Sequence, residues 1–183
     1  MKAVGIVASP RPKGNTAFAV AKVLEGAGAE PRIFSLNGVE PCASCLACKQ
    51  TAQCVKRDPM REIYAALAEA ELLVLGSPIY MNHVSAQAWV FMNRLYCFLG
   101  PAPELEDRYR GARRGLLVAT QGRPEPGYYR RQLDEFAGIL GSYWHIKLLD
   151  HLVIGGCRRD AGLDSRPESV AALLAAGRAL AGR

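Results

Sequence analysis

"KAVGIVASPRPKGNTAFAVAKVLEGAG", Lys2 to Gly28, decides the fold. The run Lys2–Ser9 is apolar and partly β-branched and breaks at a Pro- and Gly-rich turn, the pattern of a buried strand. A helix follows, with Asn15 or Thr16 as its candidate N-cap and Gly26 or Gly28 as its stop. The same alternation then repeats outward along the chain. Pro31–Leu36 reads as a second strand, and Asp58 and Pro59 open a helix over "MREIYAALAEA". Glu71–Pro78 is a third strand, "VSAQAWVFMNRLYCFL" one long helix, and Arg113–Gly122 a fourth strand. "GYYRRQLDEFAGILG" is helical, "WHIKLLDHLVIGG" holds a fifth strand, and a capping-box pair, Ser165 and Glu168, opens a last helix to about Ala181.

Strands that are apolar throughout, alternating with helices, predict a parallel sheet covered on both faces. Five such units in one domain, residues 1–183, predict an α/β, doubly wound, five-stranded sheet that binds ligand at the carboxyl ends of its strands. The segment 37–59 is long for a connection and interrupts the second unit, which marks it as functional.

That segment carries four of the six cysteines, Cys42, Cys45, Cys48 and Cys54, spaced C-x2-C-x2-C-x5-C. A chain of 183 residues can bury a core without disulfide staples. The short apolar run before Pro10 falls below signal-peptide length, and no segment reaches membrane-spanning length without charges. A cytoplasmic chain with reduced thiols is the expectation, leaving an iron–sulfur cluster, a zinc site or redox-active free thiols. C-x2-C-x2-C lets three thiolates come from one turning loop, as cluster ligation requires. The fourth cysteine is followed by Val55, so this is not a ferredoxin run, and none of His83, His145 and His151 is near it to complete a zinc knuckle. Cys97 and Cys157 read as packing residues.

The turn after the first strand, "SPRPKGNTA" (Ser9–Ala17), is neither GxxxxGK[ST] nor GxGxxG. Hydroxyls at Ser9 and Thr16, Arg11, Gly14 and free amides at a helix start nevertheless suit a terminal phosphate. "GSPIYMNHVSA" after the third strand offers backbone amides and an aromatic ring to a flat heterocycle, and Thr120, Gln121 and Gly122 lie on the same rim. The net charge of +6 suits anionic cofactors or acidic protein partners. The cysteine loop has only Lys49, Lys56 and Arg57 as bases and no aromatic residue, which argues against a nucleic-acid module; neither nucleic acid nor membrane is an expected partner.

Paired, "SPRPKGNT" and "GSPIYMNHVSA" resemble the flavodoxin-like NADPH-dependent FMN reductases, and the cysteine segment resembles their iron–sulfur flavoprotein branch. Where many of those sequences run Asp-Asp-Met after the last cysteine, this chain has Arg57-Asp58-Pro59-Met60. The resemblance implies a flavodoxin-like sheet of order 2-1-3-4-5 with FMN bound non-covalently, and an NAD(P)H-dependent reductase or an electron-transfer protein. It assigns the phosphate to Ser9, Arg11, Asn15, Thr16 and Ala17. The ring falls to Pro78, Ile79, Tyr80, Met81, Asn82 and Ser85, with Thr120, Gln121 and Gly122 at its other edge. A [4Fe–4S] cluster on Cys42, Cys45, Cys48 and Cys54 would exchange electrons with a ferredoxin-like carrier. Such proteins are commonly homodimers or homotetramers.

Overall fold

A computed structural model describes residues 1–51, 53–99, 114–144, 146–158 and 162–182. In chain order the elements are β1 (Lys2–Val7), α1 (Asn15–Ala27), β2 (Glu30–Ser35), α2 (Cys48–Thr51) and α3 (Met60–Glu69). Then come β3 (Leu72–Tyr80), β4 (His83–Val84), α4 (Ala86–Arg94) and a 3-10 turn (Leu95–Phe98). β5 (Arg114–Thr120), α5 (Arg130–Trp144), β6 (Lys147–Ile154), a second 3-10 turn (Leu163–Ser165) and α6 (Pro167–Ala181) complete it.

Five parallel strands lie in the order β2-β1-β3-β5-β6. The five-stranded sheet expected from sequence gains a sixth strand, because β4 folds back antiparallel on the end of β3. Ile79 pairs with Val84 and Tyr80 with His83, so Met81 and Asn82 form a two-residue turn with φ of 47° and 68°. Left-handed φ at both central residues gives the twist that a tight hairpin needs.

The pleat divides the core. Leu73, Leu75, Leu117 and Ala119 face Ile63, Leu67, Phe91, Leu95, Phe136 and Leu140, from α3, α4, the 3-10 turn and α5. Leu72, Val74, Leu116 and Val118 face Val20, Leu24, Leu173 and Leu180, from α1 and α6. Each buried large side chain contributes about 1.5–3 kcal/mol, which is why the strands read as unbroken apolar runs. On the second face α1 and α6 touch backbone to backbone. A methyl group on Gly177 would lie 2.0 Å from the Val23 carbonyl oxygen, and one on Gly26 2.2 Å from that of Leu174.

Several boundaries differ from the sequence expectation. Gly14, not Asn15 or Thr16, occupies the N-cap of α1 and makes no side-chain cap. Asn15 is engaged elsewhere, donating to the Arg158 carbonyl (3.4 Å) and accepting from Leu163 N (3.2 Å). The single long helix after β3 is α4, capped by Ser85, whose Oγ accepts from Ala88 N at 3.3 Å, and then a tighter 3-10 turn. Ser165 forms no capping box: its hydroxyl donates to the Gly162 carbonyl, and Pro167 starts α6.

Candidate functional site

β1, β3 and β5 release the chain at one edge of the sheet, and an open cleft of about 220 Å3 lies there. Ser9, Arg11, Gly14, Asn15 and Thr16 form one wall, and Pro78, Ile79 and Tyr80 another. Thr120, Gln121 and Gly122 form a third. Ten of the fourteen residues assigned from sequence to the cofactor are thereby brought together, with Gly14 beside them. The wall that sequence reasoning missed is the loop after β6, which adds Cys157, Arg158 and Gly162. No local motif marks that loop; parallel pairing of β6 with β5 carries it to the rim.

Hydrogen bonds fix the floor. The Thr16 and Thr120 hydroxyls lie 2.7 Å apart, tying the first turn of α1 to the end of β5. Ser9 Oγ accepts from Arg11 N at 3.2 Å, and Arg11 reaches the Tyr80 hydroxyl at 3.4 Å. Gln121 is buried and donates to the Arg123 and Glu125 carbonyls, while its Oε1 has no partner among the described residues. Arg11, Lys13 and Arg158 line the cleft with no carboxylate among the lining residues, and the N-terminus of α1 adds its positive dipole. The cleft is built for an anion.

Other sequence candidates lie off the cleft. Met81 and Asn82 sit at the exposed tip of the β3–β4 hairpin, with Met81 97% exposed. Ser85 is buried behind the wall, donating to the Ala8 carbonyl at 2.5 Å. Ala17, half-buried on α1, is absent from the lining. The arginines between Arg108 and Arg131 read from sequence as a solvated face rather than as contacts for a pyridine nucleotide's phosphates, and Arg108, Arg110 and Arg113 lie outside the described residues.

The second centre is the cysteine segment. Cys42, Cys45, Cys48 and Cys54 line one small cavity of about 30 Å3, walled by Ala43, Leu46 and Val55. Cys97, read from sequence as packing, lines it too. Burial, with Cys48 and Cys54 beside it, pushes the Cys97 thiol up to about 11. All six cysteines are free thiols. Ser44 and Leu46 hold left-handed φ of 50° and 58°, which coils the loop around its thiols.

Arg94, 2% exposed, anchors this loop from the end of α4. Its guanidinium pairs with both oxygens of Asp58 (2.5 and 3.1 Å), meets the Glu40 carbonyl at 2.7 Å, and donates to Cys54 Sγ at 3.4 Å. Burial raises the Asp58 pKa, but bonds from Arg94, Glu40 N and Met60 N outweigh it and hold the carboxyl below its ordinary value. Among the described residues no three His, Cys, Asp or Glu side chains stand close enough to hold a metal ion as positioned. The donor set itself, all thiols around an apolar cavity, fits a sulfur-ligated iron centre.

Residues 1–132 match the family described as NADPH-dependent FMN reductase. The chain is 35% identical over 150 residues to an iron–sulfur flavoprotein of Archaeoglobus fulgidus, covering 78% of this chain and 67% of that protein. It is 40% identical over 99 residues to the iron–sulfur flavoprotein MJ1083 of Methanocaldococcus jannaschii, covering 51% of each. The matched segments therefore span about half to two thirds of those relatives' own length. A solved flavone reductase shares the fold, with a TM-score of 0.72 and 17% identity over 100% of this chain and 62% of that one.

Proposed function

We propose that this chain, which belongs to the NADPH-dependent FMN reductase family in its iron–sulfur flavoprotein branch, passes electrons between NAD(P)H or a ferredoxin-like carrier and an acceptor. The observation that carries the reading is the pairing of two centres on one scaffold. One is an anion-binding cleft at the strand ends, and the other is a thiol-lined cavity in the loop that follows β2. Asn37, at the head of that loop, donates to the Pro10 carbonyl at 3.3 Å, which ties the start of the cysteine segment to the turn after β1.

In this reading Ser9, Arg11, Thr16 and the amides opening α1 hold the FMN phosphate. Tyr80 and the Pro78–Ile79 backbone face one side of the ring, and Thr120–Gly122 the other. Bound FMN supplies both two-electron and one-electron chemistry. The buried Thr16–Thr120 bond keeps the phosphate turn and the ring wall in fixed relation, which lowers the ordering cost of binding. Cys42, Cys45, Cys48 and Cys54 would hold the cluster. The +6 charge suits docking of an acidic one-electron carrier in the cytoplasm, and the reading includes assembly as a homodimer or homotetramer.

A second reading keeps the flavin and drops the cluster, leaving a zinc site or a thiol switch in the loop. Its thiol-switch form is favoured by the lack of a converged set of three ligands among the described residues, which zinc would need as much as iron. Kinetics on anaerobically prepared protein separate the two. Rapid reduction by a reduced ferredoxin that collapses in each of C42S, C45S, C48S and C54S, with FMN retained, supports the electron-transfer reading. Indifference of every rate to those changes supports the second.

A further inference from the structure

The cysteine segment is clamped at both ends by one side chain. Arg94 bonds the Glu40 carbonyl ahead of Cys42 and the Asp58 carboxylate beyond Cys54, and its Nη2 donates to Cys54 Sγ. Asp58 completes the clamp by accepting from Glu40 N at 3.0 Å and Met60 N at 3.1 Å. A guanidinium this deeply buried normally uses its whole fork. Yet Arg94 Nε, also buried, has no hydrogen-bond partner among the described residues, although the side chain lines the thiol cavity. Asp58 sets the orientation of the guanidinium plane and balances its charge, so what remains for the cavity is directional N–H donation.

We propose that Arg94 is a positioning residue of the cysteine cavity: it fixes Cys54 and donates N–H···S hydrogen bonds that raise the reduction potential of an iron–sulfur centre held there. The inference rests on the cluster reading of the loop. Hydrogen bonds to cluster sulfurs stabilise the more negative, reduced form, because they offset charge that builds up on sulfur. Among the described residues of the sequence motif none supplies such a donor side chain to Cys54; it comes from a helix forty residues further on.

The test compares wild type, Arg94→Lys and the charge-balanced pair Arg94→Gln/Asp58→Asn after anaerobic reconstitution with iron and sulfide. The readouts are iron per chain and the midpoint potential from a visible redox titration. Lysine retains a charge for Asp58 but lacks the planar fork, so R94K should keep its iron at a potential shifted negative of wild type. The double variant should shift at least as far, or lose iron while keeping FMN. Full iron at wild-type potential in both variants overturns the proposal. So does iron loss from both with FMN retained, which would make Arg94 a brace for the loop alone. Wild type that takes up no iron overturns the cluster reading itself, an outcome visible before any variant is made.

Discussion

Thr16 and Thr120 stand 104 residues apart in sequence and share a buried hydrogen bond of 2.7 Å between their hydroxyls. That contact joins the turn that would take a phosphate to the strand end that would meet a ring. Thr16→Val keeps the shape and removes one hydroxyl, leaving Thr120 buried without its partner. The expected cost is about 1–3 kcal/mol of stability by chemical denaturation, together with weaker FMN retention. Unchanged stability and FMN affinity would remove the contact from the site's architecture.

Arg11 is exposed, and among the described residues its one side-chain hydrogen bond is to the Tyr80 hydroxyl, so the fold does not need it. Arg11→Ala should leave the thermal midpoint unchanged and weaken FMN binding about tenfold to a hundredfold, the worth of one charge-assisted hydrogen bond. A fluorescence titration of apoprotein with FMN reads it directly. Equal affinity for the variant would move the phosphate away from this turn.

Gly177 sits inside α6, where Ala should improve helix propensity by about 1 kcal/mol. Packing reverses the sign, because the added methyl would meet the Val23 carbonyl at 2.0 Å. Gly177→Ala should therefore destabilise by about 1–3 kcal/mol, with roughly 2–4 °C of Tm lost per kcal/mol in a chain of this size. A rise in Tm would mean that α1 and α6 do not touch backbone to backbone.

Asp58 gives the fold an acid-sensitive component. Its folded pKa lies below the ordinary 3.8, so the unfolded chain takes up this proton first as the pH falls. The stabilisation is fully present above the unfolded value and is lost as the pH drops through the folded one. Stability measured at pH 7 and near pH 3 should fall less in Asp58→Asn than in wild type, from a start at pH 7 lower by about 3–5 kcal/mol because Arg94 is left unpaired. Parallel pH profiles would contradict the pairing.

How much of this was legible in the sequence varies with the range of the interaction. The strands were, because burial on both faces leaves an unbroken apolar run such as Leu72–Leu75. The cleft turns were, because Ser9–Thr16 and Pro78–Tyr80 carry their chemistry locally. β4 was not: two residues are too short for any periodic signal, and the Met81–Asn82 turn lacks the glycine that usually announces such a hairpin. The cap of α1 was misread because Asn15 and Thr16 spend their side chains on partners far along the chain, Arg158, Leu163 and Thr120. Arg94 and Cys97 looked like members of an apolar helix, and only the folding of the cysteine loop against that helix gives them a second role.

The most direct measurement is the cofactor content of protein purified and reconstituted without oxygen, read from one visible spectrum with acid-released flavin and iron determined on the same sample. Resolved flavin bands over a broad brown shoulder are expected, with about one FMN and about four iron per chain. Flavin bands with no iron, or with a single zinc, would contradict the two-centre reading, and the absence of FMN would contradict the cleft's assignment as well.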